Sequence, residues 1–333
     1  MNPRFRHHPA GGARPSAAAA GVVFNHHRAA AWLASVLWLV WAVAAVVAGT
    51  AGAQSEPEAG SARQGSEGIG EAAPIFAVDF EADDWRRGLR GTEGGDLRIM
   101  QPGDEGFEPL DGRALRVTVA EGSHTGSVVS VHLADHLPEE PERLYFRYHL
   151  RLADHWQTPH GGKLPGFAGT YGRMGWGGRP SDGSEGWSLR GMFFSARDRD
   201  RRLAREREAG GAVGEEAAAA VAVGTYAYHA EMTGTYGDHW AWDHDGWLQP
   251  GRWHLIEQEL VINHPDRADG VFAVWVDGRR VYHSDQVRLR TNDRLRIQTV
   301  WMNVYYGGRE PAPRELHLDI DNLVVGHRRP EEG

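Results

Sequence analysis

The sequence predicts an all-β sandwich or barrel spanning residues 75–326. Three observations carry that expectation: short segments of alternating or continuous apolar character recur along the span, Gly, Pro, Asp and Asn separate them, and no 3.6-residue periodicity is sustained. In chain order the predicted strands begin with IFAVDF (75–80), ALRVTVA (114–120), SVVSVHL (127–133), LYFRYHLRL (144–152), WSLRGMFF (187–194) and TYAYHAEM (225–232). WHLIEQELVI (253–262), GVFAVWVDG (270–278), RIQTVWMNVYY (296–306) and ELHLDIDNLVV (315–325) follow. Asp277-Gly278 separates VFAVWV from RRVYHS. That pair suits a type I′ hairpin, whose two central positions both need positive φ. One stretch departs from the pattern: residues 197–220 are charged and then alanine-rich, which reads as an exposed helix or a disordered insertion between two strands.

The chain precedes this domain with segments of a different kind. Arg4, Arg6, Arg14 and Arg28 lead into an apolar run at 29–48, and Ala51-Gly52-Ala53 follows. This order of cations, apolar core and small residues predicts a signal peptide at 1–53, with Gln54 as the mature N-terminus. Left uncleaved, the apolar run has the length of a membrane anchor. Residues 54–74 have no aromatic residue and are rich in Gly, Ser, Glu and Ala, so they read as a disordered linker.

Composition narrows the partners. A chain of 333 residues, 41% hydrophobic and 24% charged, can build a substantial core. Its formal charge of -9 argues against nucleic acid, although an acidic protein can hold an acidic polymer where a few cations converge. With no cysteine, disulfide and thiol chemistry are excluded. Lys163 stands out, because every other residue of the 36 Lys and Arg is arginine. Lysine is a compact charge whose pKa falls readily on burial or beside another cation, whereas arginine stays protonated. Lysine can therefore accept a proton where arginine cannot.

Strand alternation decides which side chains share a face. Ser188 and Arg190 project together, as do Tyr226 and Tyr228. Arg147 and His149 lie opposite the apolar set Phe146, Tyr148, Leu150 and Leu152, and Trp301, Asn303 and Tyr305 form a third polar set. A sheet face carrying Arg, Lys, Tyr and His suits proton removal α to a carboxylate, as in β-elimination of a uronic-acid polymer. Cations or hydrogen-bond donors must neutralise the carboxylate as enolate charge grows, a task open to Arg190, Asn303 or His149. A base must take the C5 proton and an acid must protonate the departing O4. Nearby cations stabilise a tyrosinate and depress a lysine pKa, so the sequence leaves base and acid undivided between Lys163 and the tyrosines.

Other chemistries find less support. A sandwich-fold glycoside hydrolase needs two carboxylates at a set separation. Glu257 and Glu259 share a strand face, and an outer, exposed face accounts for them. The run DHWAWDHDGW (238–247) lacks a recognisable zinc spacing, and its Trp240, Trp242 and Trp247 are better suited to stacking on sugars. Asp319, Asp321 and Asn322 are open to reading as a structural cation site or as exposed carboxylates on a last strand. No catalytic metal and no cofactor are expected.

The ordered segments resemble the family-14 polysaccharide lyases, a group that includes alginate lyases and glucuronate-cleaving enzymes. The similar pieces are GGKLPG (161–166), WSLRGMFF, the Tyr-Ala-Tyr of 226–228, the run from Trp253 through NHPDRADGVFAVWVDG to VRLR (287–290), and NVYYGG (303–308). The resemblance implies a concanavalin A-like β-jelly roll with a substrate cleft on its concave sheet. It also implies that Lys163, Ser188, Arg190, Tyr226 and Tyr228 form the catalytic set and that an acidic polysaccharide is the partner. Arg147, His149, Trp301, Asn303 and Tyr305 are the expected substrate contacts. Two departures from the family pattern are a longer segment between Arg190 and Tyr226, and Tyr306-Gly307-Gly308 where the family has Phe-Gly-Gly. The rival expectation from another class is a jelly roll that binds carbohydrate without cleaving it.

Overall fold

The computed structural model describes residues 73–91, 95–156, 159–211 and 214–330. The expected signal segment at 1–53, and the linker at 54–74 apart from its last two residues, lie outside the described residues. The strands are β1 (Phe76–Val78), β2 (Asp96–Met100), β3 (Ala114–Val119), β4 (Thr125–His132), β5 (Arg143–Leu152), β6 (Gly162–Gly169) and β7 (Trp187–Phe193). They continue as β8 (Val223–Tyr228), β9 (Asp238–Ala241), β10 (Trp253–Val261), β11 (Gly270–Val276), β12 (Arg279–Val287), β13 (Thr299–Tyr306) and β14 (Leu316–Gly326). Two antiparallel sheets form, one in the order β12-β11-β10-β5-β14-β3-β2 with β1 on β14, the other in the order β4-β13-β6-β7-β8-β9. This is the all-β jelly-roll sandwich that the sequence predicts.

Alternation makes the sandwich. Along β5, Phe146, Tyr148, Leu150 and Leu152 are buried, and along β13 Val300, Met302 and Val304 are. The two sheets meet through aromatic edges: Phe146 on β5 lies 5.9 Å from Phe167 on β6, which lies 6.4 Å from Phe272 on β11. Burying one large apolar side chain contributes about 1.5–3 kcal/mol, so a two-sheet core of this kind dominates the stability. The Asp277-Gly278 turn has φ of 52° and 79°, as a type I′ hairpin requires, and joins β11 to β12.

Three strands escaped the sequence reading, and β12 was seen only as the return arm of its hairpin. β2 and β9 are short, and β6 holds GKLPG, which has the composition of a turn. The glycines of β6 serve close approach instead. A Cβ on Gly162 would lie 2.3 Å from the Tyr305 carbonyl oxygen, and one on Gly166 would lie 2.2 Å from that of Leu189. β6 therefore runs at the centre of its sheet between β13 and β7, with a register shift between Leu164 and Gly166. The charged excursion is helical: α1 (Ala196–Glu208) and α2 (Glu215–Ala219) lie between β7 and β8. Ser195 caps α1 by accepting from the Asp198 N–H at 3.1 Å, and Leu203 anchors it by burial.

The residues weighed for other chemistries have structural partners. Asp319 is buried in a two-pronged ion pair with Arg116, at 2.7 and 3.0 Å. Asp321 is buried rather than exposed, and burial first, then Glu81, Asp79 and Asp111, push its carboxyl up to about 7. Among the described residues, no group of three or more His, Cys, Asp or Glu side chains is arranged to hold a metal ion. Glu257 is buried rather than exposed, accepting from the Tyr145 hydroxyl at 2.6 Å and from Arg329 at 3.1 Å, while Glu259 pairs with Arg143 at 2.8 Å.

Candidate active site

The outer face of the six-stranded sheet gathers most of the expected site. Register sets out one row across it: Trp301 on β13 is opposite Gly166 on β6, Gly166 opposite Arg190 on β7, Arg190 opposite Tyr226 on β8, and Tyr226 opposite His239 on β9. The next row holds Tyr305, Lys163, Met192, Gly224 and Ala241. Because Gly166 has no side chain, Arg190 can lean across β6. Its guanidinium carbon lies 4.9 Å from the Trp301 ring, and its Nη1 donates to Asn303 Oδ1 at 3.1 Å. Asn303 in turn donates from Nδ2 to the Ser127 carbonyl at 3.1 Å, which fixes its amide and hence the arginine.

Lys163 Nζ sits 4.0 Å above the Tyr226 ring, and the Arg190 guanidinium carbon lies 5.4 Å from the same ring. Neither Lys163 nor Arg190 has a carboxylate partner among the described residues, and Arg190 Nε is a buried donor with no acceptor. Burying cations without counter-ions is unfavourable, and the group responds by shifting its pKa. Burial first, then the Arg190 charge, bring Lys163 down to about 7. Burial lowers Arg190 to about 10, so it remains charged at neutral pH. The tyrosine shifts the other way: burial and a hydrogen bond to Tyr228 hold the Tyr226 phenol well above its ordinary range, keeping it protonated. Tyr228 accepts from the Gly178 N–H at 3.1 Å, and the two tyrosine rings meet edge to face at 5.5 Å.

Several expected roles change. Ser188 shares the site face, but its hydroxyl is fully buried and donates to the Gly175 carbonyl at 2.6 Å. It fastens the loop whose Gly178 N–H donates to Tyr228. Arg147 and His149 do not join the site at all. They lie on β5 in the other sheet, opposite Glu257 and Leu255 of β10, with their strand's apolar side chains turned into the core. Their pattern of alternation looked like that of β13, and alternation identifies a polar face without saying to which sheet it belongs. Tyr305 belongs to the correct sheet and stacks on His124 at 5.4 Å, beside the Lys163 row. Trp240, Trp242 and Trp247 are not sugar platforms. Trp240 stacks on Tyr282 at 6.0 Å, Trp242 is buried and donates to Thr225 Oγ1, and Trp247 is buried.

His239, which the sequence offered only within the run 238–247 weighed for metal binding, joins this face. Its ring lies 5.5 Å from that of Tyr226, and burial, Lys163 and Arg202, in that order, lower its pKa. A signal was present, since Trp240 packs inward and alternation then turns His239 outward.

The polysaccharide lyase 14 family model matches residues 225–313, a stretch that holds Tyr226, Tyr228, Trp301, Asn303 and Tyr305 but not Lys163, Ser188 or Arg190. No curated relative matches the chain. Among solved structures, the marine PL-14 alginate lyase from Aplysia kurodai superposes with a TM-score of 0.56 at 16% identity, over 77% of this chain and 100% of that one. Alginate lyase Aly36B gives 0.54 at 20% identity, over 78% and 100%. Alginate lyase vAL-1 from Chlorella virus gives 0.53 at 16% identity, over 77% and 100%. The matched family model and the shared fold agree with each other: residues 225–313 are similar to polysaccharide lyase 14, and the two-sheet jelly roll is the fold of these alginate lyases.

Proposed function

We propose that this protein is an exported lyase that cleaves a uronic-acid polymer, alginate or a glucuronan, by β-elimination. One observation carries the reading: Lys163 and Arg190 lie side by side over Tyr226 with no carboxylate partner among the described residues, an arrangement that an anionic substrate would complete. The alginate lyase Aly36B, with a lysine and a tyrosine replaced by alanine, was solved with an alginate tetrasaccharide, which supports a substrate of this kind.

Charge at neutral pH assigns the roles. Arg190, held by Asn303, pairs with the substrate carboxylate and offsets the negative charge that grows on it as the C5 proton leaves. Lys163, neutral above about pH 7, takes that proton. The electron pair of the C5–H bond forms the C4=C5 double bond, the C4–O4 bond breaks, and Tyr226 gives its proton to O4. Environments that push two titratable groups apart in pKa mark which is base and which is acid, and here they separate lysine from tyrosine. Tyr228 holds the Tyr226 hydroxyl in place, and Trp301 walls the arginine. Removal of the segment at 1–53 would leave Gln54 as the first residue, which N-terminal sequencing of the exported protein checks.

Incubation with alginate and with polyglucuronate, followed by ultraviolet absorbance of the unsaturated uronate end, tests the activity. Absorbance is expected to rise with at least one polymer. No rise with any acidic polysaccharide sinks the lyase reading, and binding without cleavage leaves a non-catalytic carbohydrate-binding protein in its place.

A further inference from the structure

The inserted helix α1 reaches the site. It follows β7 directly, and its Arg202 guanidinium carbon lies 4.1 Å over the ring of Phe194. The Phe194 ring meets that of His239 edge to face at 5.8 Å, and His239 is in turn 5.5 Å from Tyr226. Arg202 is therefore joined to the Lys163 and Arg190 pair by a continuous line of rings. The sheet floor at this end is small, with Gly224 and Ala241 in register opposite each other.

Arg202 is half-buried, and among the described residues it makes no ion pair or hydrogen bond. Asp198, whose charge acts on Arg202, has its hydrogen bonds elsewhere: it accepts from the Ser195 hydroxyl at 2.7 Å and from Arg201 at 3.2 Å. Its neighbours do pair locally, Arg201 with Asp198 and Arg199 with Asp200. The Ser195 cap and buried Leu203 fix the helix, so Arg202 is held on the site side with its guanidinium fork unused.

Resting on the lyase reading above, we propose that Arg202 forms an additional subsite, supplied by the insertion between β7 and β8, that binds the carboxylate of a uronate further along the polymer than the one undergoing elimination. A planar guanidinium stacked on an aromatic ring presents its free edge to a carboxylate in two-pronged geometry, which lysine cannot reproduce. The chemistry selects a polyanion with a carboxylate on successive residues, and the subsite rewards length. It leaves the reacting sugar untouched.

Arg202→Ala, Arg202→Lys and the wild type are compared on alginate and polyglucuronate polymers and on the shortest oligosaccharide of either that is cleaved. In Arg202→Ala the KM for polymer is expected to rise about tenfold with kcat unchanged, the size of one lost charge-assisted contact. The salt dependence of kcat/KM on polymer becomes shallower, KM for the short oligosaccharide stays the same, and Arg202→Lys recovers only part of the loss. An unchanged KM for polymer, or an equal rise for polymer and oligosaccharide, overturns the subsite. Calorimetric binding of the polymer gives a readout without turnover, with about tenfold weaker binding expected for Arg202→Ala. A wild type that binds but does not cleave defeats the lyase reading and leaves the subsite to be judged by that affinity ratio; a wild type that neither binds nor cleaves defeats both.

Discussion

If Lys163 is the base, activity must follow its protonation. An ordinary lysine titrates at about 10.4, so at pH 8 only about 0.4% of it is neutral; a lysine at about 7 is about 90% neutral at that pH. The environment thus gives roughly a 200-fold gain in competent enzyme, equivalent to about 3 kcal/mol. The assay is the initial rate of product absorbance at substrate well below KM, so that kcat/KM reports the free enzyme. It should rise about tenfold per pH unit below pH 7 and level off above it. Arg190→Gln removes the second cause of the shift and leaves the first, burial, so the midpoint should move up while staying below an ordinary lysine's. Lys163→Arg keeps a charge but loses proton acceptance, and should retain binding without turnover. The same depressed pKa also links pH to stability. The unfolded chain holds a proton that folded Lys163 has lost between about pH 7 and 10, so stability from this group increases as pH rises through that window. A rate flat from about pH 5 to 8, a midpoint unmoved in Arg190→Gln, or wild-type turnover by Lys163→Arg refutes the assignment.

Further expectations follow from individual contacts. Tyr226→Phe keeps the ring beneath Lys163 and removes the proton donor, so kcat should fall by about 10²–10⁴ with KM little changed in steady-state assays. Ser188→Ala should cost about 1–3 kcal/mol of stability by leaving the Gly175 carbonyl unsatisfied, read by chemical denaturation, and should not abolish turnover. Arg147→Ala and His149→Ala should leave kcat/KM on polymer unchanged, because β5 belongs to the other sheet. Asp319→Ala leaves the largely covered Arg116 with only its bond to the Gly106 carbonyl and should cost about 3 kcal/mol, seen as a fall in Tm of about 10 °C.

Much of the architecture is local information. Phe146, Tyr148, Leu150 and Leu152 alternate with polar partners, and a strand with that pattern has one way to bury its apolar side. Asp277-Gly278 selects its turn by backbone sterics alone, and the sequence marked it correctly. Lys163 was legible for a chemical reason: a chain that otherwise supplies its cations as arginine keeps its one lysine where burial and Arg190 lower the pKa, as lysine allows and arginine resists. What misled was glycine in GGKLPG. Its low strand preference suggested a loop, while the close approach of Tyr305 and Leu189 backbone oxygens is a nonlocal demand that no neighbouring residue announces.

By itself, then, the sequence determined the all-β class, the strand faces and the identity of the Lys, Arg and Tyr groups, because each depends on neighbours within a few residues or on side-chain chemistry. Only the tertiary structure decided which faces meet. Pairing of β13 with β6, and of β6 with β7 and β8, brings Asn303, Lys163, Arg190 and Tyr226 together, whereas the equally polar face of β5 turns away. The low pKa of Lys163 belongs to the same class of fact, since burial beside Arg190 arises only when strands distant in sequence become adjacent in the sheet.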